Sequence, residues 1–199
     1  MTGSRSTPRL RFTTVVLVMN LGLVAVSDRT VVGLAGELMQ LAGLTCVAVA
    51  VLGRIWTSAF IAGYKDSTLI RTGPYARMRH PLYALTTLAT IGIGLATRSL
   101  AITAALVVVI GGLHLAAAWR EDAFLASTHG EDHARYRTSV PAFLPGPAAR
   151  DVPEQIEIRP RVFRKAFLDG ASMLGVYVLV RIADAIHEAG LAPTWLRLP

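Results

Sequence analysis

Cysteine is almost missing from this chain: Cys46 stands alone, inside an apolar run. An internal disulfide is therefore excluded, and no thiolate-based metal site is expected. Charge is scarce too, with Asp, Glu, Lys and Arg at 17% of the residues, well short of a soluble domain. Residues 12–27, 38–53, 82–97 and 99–119 hold no charged side chain at all. No internal repeat or low-complexity tract breaks the pattern. These absences exclude an ordinary water-soluble globule.

What fills the gaps is hydrocarbon. Hydrophobic residues make up 53% of the 199, and the mean hydropathy is +0.49. Three of the charge-free runs are 16 residues long and the last is 21. A bilayer core of about 30 Å takes about 20 helical residues. The longest run spans unaided. The shorter ones need flanks whose arginines, Arg11, Arg54 and Arg98, reach back to the interface. The expected fold is an all-α, polytopic integral membrane bundle of about five membrane helices in one domain, residues 1–199. Within it, 1–64 holds the N-terminal helices, 65–145 a core, and 146–199 a linker and last helix.

Arg5, Arg9 and Arg11 precede the first run, as in a secretory signal. No convincing small-x-small cleavage site closes it, Ala25-Val26-Ser27 being a poor one, so a retained helix over 11–27 is expected. A second helix is expected over 33–60, a third over 82–97 and a fourth over 99–119. The last two form a tight hairpin around Arg98. Gly92, Gly94, Ala96, Gly111, Gly112 and Ala116–Ala118 allow close helix approach in lipid. Gly92-Ile93-Gly94 is half of a dinucleotide fingerprint, but it lacks the preceding strand and the third glycine, so helix packing explains it better. A charged helix follows from 120, is broken at Gly130, and resumes for a turn or two over 131–137. Pro147, Pro153 and Pro160 mark an irregular connection. The last helix covers about 161–189. Its charge-free run is only the 11 residues 170–180, and crossing or deep embedding is preferred over lying along the interface.

The formal net charge of +7 does not indicate nucleic acid. Fifteen of the 20 basic residues fall in 5–11, 65–79 and 120–165, while Arg29 and Arg98 are alone in the alternate connections. That asymmetry is the positive-inside pattern. It places the N-terminus, the 65–81 loop and 120–165 in the cytoplasm.

Two polar clusters flank the hairpin, 67–83 before it and 119–137 after it. A hairpin returns its ends to one face, so the clusters should meet. They offer Tyr75, Arg79, His80, Tyr83, Glu121, Asp122, Glu131, His133 and Tyr136. Polar groups this dense beside a bilayer are costly unless they bind something. Carboxylates with aromatics suit a zwitterionic or cationic soluble ligand. Plainer roles are expected elsewhere. Arg54 snorkels, His114 is a packed polar residue, and Asp122 is a solvated helix start. Arg135 and Arg137 set topology or touch headgroups. His129 and His133 sit four apart without a third ligand, so no zinc site is expected.

LIRTGPYARMRHPLY at 69–83 resembles the signature of the isoprenylcysteine carboxyl methyltransferase family, whose members read roughly L-V-x-x-G-P-Y-x-x-x-R-H-P-x-Y. The family's partner motif, a paired acid, a spacer, G-E-E/x-Y-x-x-Y and then V-P, is similar to Glu121-Asp122, Gly130-Glu131, Tyr136 and Val140-Pro141. The resemblance covers about 54–145 and implies a prokaryotic member. It implies a small helical membrane bundle with an S-adenosyl-L-methionine pocket at the cytosolic boundary and a substrate arriving through the membrane. By motif, Thr68, Leu69 and Ile70 would line the cofactor through backbone groups. Tyr75 would pack on it, His80, Pro81, Leu82 and Tyr83 would wall it, and Glu121 would accept a hydrogen bond from it. No catalytic residue is assigned. An acceptor that is not already ionised would need a base, and His80, His133 and Glu131 remain open for that role.

The chain departs from the family at Asp122, where Glu is common, and at Ala142, where Arg often follows the V-P pair. Ala117 stands where the eukaryotic prenylcysteine enzymes carry an Arg that helps hold substrate. That argues against a prenylcysteine carboxylate and for a small lipid-soluble acceptor. The expectation is an integral membrane methyltransferase of a bacterial inner membrane, with lipid as its surroundings and no metal or nucleic acid. The alternatives are an NADPH-dependent reductase of the related sterol-reductase bundle and a non-catalytic membrane subunit.

Overall fold

The computed structural model describes residues 31–61, 68–147 and 153–191. The expected helix over 11–27 and residues 62–67 lie outside the described residues. Every regular element among those described is helical. The order is α1 (Gly33–Ile61), a 3-10 turn (Gly73–Ala76), α2 (Pro81–Ala96), α3 (Leu100–His129), α4 (Glu131–Ser139) and α5 (Pro160–Glu188). Pro81 and Pro160 occupy first-turn positions, where a missing N–H costs nothing. Gly130, at φ +50°, separates α3 from α4. α3 runs unbroken from the apolar run into the charged stretch, so Glu121 and Asp122 ride on the extension of a membrane helix.

α1, α3 and the Phe163–Glu188 part of α5 are long and apolar enough to cross a membrane, and α2 is a shorter apolar helix of 16 residues. The outward faces carry Leu41, Leu52, Val108 and Leu168, all exposed, as lipid-facing side chains are. The protein is an integral membrane helical bundle. α5, with its short charge-free run, belongs to it because its inner face has partners: Tyr177 Oη donates to the Gln40 carbonyl at 2.9 Å. Tyr177 and Val180 join Val47 and Ala96 in the buried core.

α1 lies against both α2 and α5, and α3 lies on α2. The α1–α2 crossing is backbone on backbone. A Cβ on Gly43 would stand 2.6 Å from the Gly92 carbonyl oxygen, and one on Gly92 would stand 2.5 Å from that of Gly43. Gly94 meets Thr103 of α3 in the same way, a Cβ there reaching 2.8 Å from the Thr103 Cα. The Gly-Ile-Gly segment is therefore a packing device. Gly111 and Gly112, by contrast, would meet nothing within 4 Å among the described residues.

The α2–α3 turn holds a surprise for sequence reading. Arg98 sits at φ +57° and is buried, 4% exposed, rather than snorkelling to the interface. Its guanidinium reaches Glu188 of α5 at 2.8 Å, Gln40 of α1 at 3.0 Å, and also Glu37. Asp184 completes the cluster, accepting from Gln40 at 2.6 Å and from Arg181 at 2.7 Å. A left-handed arginine costs about 1–2 kcal/mol. Carboxylates on two neighbouring helices, far away in sequence, offset it.

Candidate functional site

At the opposite end of the bundle the hairpin's two ends do meet. Local chemistry shapes the first end. Gly73, at φ +59°, starts the 3-10 turn, and a Cβ there would fall 2.3 Å from the Phe60 ring, so only glycine fits. Tyr75 and Ala76 are thereby buried against α1. The chain then turns at Arg77 and bends at Arg79 to reach His80, which precedes Pro81.

The second end is fastened on top. Tyr136 of α4 donates its hydroxyl to the Tyr75 carbonyl at 2.6 Å. The segment after α4 pairs with the one before α2. Arg79 N–H donates to the Pro141 carbonyl and His80 N–H to that of Ala142, both at 2.9 Å. Gly146 N–H closes on the Arg77 carbonyl at 2.8 Å. The separated R-H-P and V-P motifs are thus two edges of one backbone-bonded seam.

Under this seam Asp122 is a hub. Its Oδ2 accepts from Arg79 Nη1 at 2.7 Å, and its Oδ1 lies 3.2 Å from His80 Nε2 and 3.4 Å from His133 Nε2. It is buried, not the solvated helix start expected from sequence. Hairpin closure brings Arg79 and His80 onto the face of α3 that Asp122 occupies. His133 and His80 are both buried, and His80 Nδ1 lies 3.7 Å from Glu121. His80 therefore stands between the two carboxylates. The rings of Tyr83 and Phe143 flank it at 5.8 and 5.7 Å.

Glu121 also borders a small cleft, of about 50 Å³, that opens to the outside. Thr68, Leu69, Ile70 and Tyr75 line it with Glu121. Arg79, Ile61, Phe124, Leu125 and Tyr136 line it as well. His80 and Pro81 are buried behind the wall, and Leu82 and Tyr83 are likewise not among the lining residues. Glu131 is exposed at the start of α4. Burial pushes the Tyr75 phenol well above its ordinary range, with the Glu121 charge adding to the shift. The Tyr136 phenol rises as well, burial outweighing the nearby Arg79 cation. Both phenols stay protonated donors.

Two donors at the cleft lack protein partners: Tyr75 Oη and Arg79 Nε are buried and make no hydrogen bond among the described residues. Ile61, Phe124 and Leu125 carry no signature that sequence reading could single out. Arg79 and Tyr136 were legible as cluster members.

A model of the phospholipid methyltransferase family matches residues 29–132. The chain belongs to that family. The match ends just before His133, so the α4 seam lies beyond it. The cobalt-zinc-cadmium resistance protein CzcN of Cupriavidus metallidurans is 36% identical over 149 residues, covering 75% of this chain and 68% of that protein. The nickel-cobalt-cadmium resistance protein NccN of Alcaligenes xylosoxydans xylosoxydans is 31% identical over 159 residues, covering 79% and 73% respectively. No solved structure matches the chain. Membership of a phospholipid methyltransferase family agrees with the resemblance carried by the two motifs.

Proposed function

We propose that this protein is a methyltransferase that uses S-adenosyl-L-methionine to methylate a lipophilic acceptor reaching it through the membrane. The observation that carries the reading is the cleft where the two hairpin ends converge. Its lining combines a carboxylate, two donors without partners among the described residues, and two phenol rings.

The residues fit that cofactor. Tyr75 Oη and Arg79 Nε would serve its carboxylate. Glu121 would take its amino group in a charge-assisted hydrogen bond. The aromatic faces of Tyr75 and Tyr136 suit a sulfonium cation, and the backbone of Thr68–Ile70 would edge it. When bound, the cofactor supplies an electrophilic methyl group. His80, Pro81, Leu82 and Tyr83 then act from behind, as the wall that separates the cleft from the hairpin interior. Asp122 holds Arg79 and His80 in place. The chain's contribution is chiefly to orient and to exclude water, with Ile61, Phe124 and Leu125 as the apolar part of the lining.

Arg71, Arg77, Arg120, Arg135 and Arg137 cluster in sequence around the cleft's segments. On the positive-inside rule they assign this pole and the N-terminus to the cytoplasmic side of a bacterial inner membrane. The motifs meet within one continuous bundle, in keeping with a single membrane domain. Metal tolerance, the property in the two relatives' names, would follow here from methylation of a membrane component.

Titration calorimetry of the intact protein with S-adenosylhomocysteine tests the reading. Binding that Glu121→Gln weakens about tenfold or more is expected. No binding by the folded wild type would remove it. An NADPH-dependent reductase predicts the opposite preference in the same titration. A non-catalytic subunit predicts neither ligand.

A further inference from the structure

Behind the cleft wall, inside the hairpin, lies a second polar group that the cofactor reading does not use. Arg54, expected from sequence to snorkel, instead turns onto α2. Its Nη1 donates to the Thr86 hydroxyl and to the Leu82 carbonyl at 3.2 Å. Its Nε is buried without a hydrogen-bond partner among the described residues. From the other side, His114 of α3 reaches the same level of α2. Its Nδ1 lies 3.0 Å from the Thr87 hydroxyl. Its ring stacks on Tyr83 at 5.5 Å between centroids, with an interplanar angle of 26°.

Leu82 and Thr86, and likewise Tyr83 and Thr87, are one helical turn apart on adjacent rows of α2. Arg54 and His114 therefore flank one strip of α2 from two neighbouring helices. They are also within electrostatic reach of each other. The strip begins in the wall itself, with Leu82 and Tyr83, and His80 meets Tyr83 ring to ring. His114 is two turns, about 10 Å, deeper along α3 than Glu121. The Asp169 charge of α5 also acts on Arg54, so the part of this cation left for a ligand is its Nε–H.

We propose that this strip is the acceptor site, that His114 is the general base for the acceptor, and that the acceptor is an apolar molecule ending in a weakly acidic thiol or phenol. The proposal rests on the methyltransferase reading. The chemistry selects the class. An already ionised carboxylate needs no base, and an amine would meet the repulsion of Arg54. A thiol or phenol must lose its proton, and Arg54 favours the anion that results. In the His114 tautomer whose Nδ1–H donates to Thr87, the Nε2 lone pair is free for that proton. The acceptor's sulfur or oxygen then attacks the methyl carbon. The carbon–sulfonium bond breaks, and its electron pair stays on the departing sulfur. The products are the methylated acceptor, S-adenosylhomocysteine and His114 as imidazolium, which later returns its proton to water.

The test uses the full-length protein in detergent–lipid micelles with radiolabelled S-adenosyl-L-methionine. Dodecanethiol and nonylphenol are the probes, and dodecylamine and palmitate the comparators. Wild type is expected to methylate the thiol or the phenol in preference to both comparators. His114→Asn should lower that rate roughly a hundredfold or more, with S-adenosylhomocysteine affinity and thermal midpoint unchanged. Raising the pH through the probe's own ionisation should restore much of the lost rate. The charged or titratable groups named around His114, namely Arg54 and Tyr83, remain in the variant. A merely structural His114 would give no such recovery.

If wild type fails to bind S-adenosylhomocysteine, the cofactor reading falls and the acceptor site with it. If it binds but prefers amine or carboxylate, or methylates no probe, the acceptor site alone falls. The same holds if His114→Asn transfers as fast as wild type, or stays slow at all pH.

Discussion

Tyr75 and Tyr136 are the two phenols of the cleft, yet a substitution should read differently at each. The Tyr75 hydroxyl has no hydrogen-bond partner among the described residues, so Tyr75→Phe should leave the thermal midpoint nearly unchanged while weakening S-adenosylhomocysteine binding several-fold. The Tyr136 hydroxyl sews α4 to the 3-10 turn, so Tyr136→Phe should cost about 1 kcal/mol of stability, read as a lowered midpoint in detergent. Asp122 lies at the other extreme. Asp122→Ala leaves Arg79 buried without its carboxylate and should cost about 3–5 kcal/mol. His80, pressed between the carboxylates, should also lose stability on truncation, which makes Glu121→Gln the cleaner probe of the cofactor.

At this scale the sequence was only partly legible. The residue types of the site could be read from two motifs. Their orientations could not. Glu121 and Asp122 are adjacent, hence about 100° apart around α3, and nothing local says which one faces inward. That choice is made by Arg79, His80 and His133, which arrive from other segments.

At the scale of elements, the boundaries were the most legible part. Among the described residues, charge-free runs and two prolines place the helix starts within a residue, but the end expected at 119 is missing: α3 runs on to His129, where Gly130 stops it. The small residues were read as one class, but they divide. Gly43→Ala drives a methyl group into the Gly92 carbonyl and should cost about 1–3 kcal/mol. Gly112→Ala meets open space and should leave the midpoint unchanged or raise it slightly. Midpoints of the two variants, measured side by side, check the division. Glycine's role in lipid depends on what crosses it, and the partner at Gly43 is a glycine 49 residues away. The seam between 77–80 and 141–146 was invisible for a related reason: its bonds are backbone to backbone, and side-chain identity barely encodes them.

For the whole molecule, each pole is held by a buried arginine. Arg98 meets carboxylates of α1 and α5 at the far pole, and Arg79 meets Asp122 of α3 at the near one. Arg98 and Glu188, 90 residues apart, could not be paired from sequence, so Arg98 read as a flank and α5 as a doubtful span. The near pole adds a pH limit. Both cleft phenols ionise less readily in the folded protein than when unfolded. Their contribution is complete below the ordinary tyrosine value of about 10 and declines as pH rises past it. Midpoints measured from about pH 8 to 12 should be flat and then fall, and the fall should be shallower in the Tyr75→Phe, Tyr136→Phe double variant.

The Gly43–Gly92 contact also sets how close two rods lie along their whole length. Toward the cleft they stay joined: a Cβ on Gly53 would stand 2.7 Å from Leu85, and Arg54 bonds the Leu82 carbonyl and the Thr86 hydroxyl. α1 and α2 therefore reach the cleft as a single strut, and its floor inherits their stiffness.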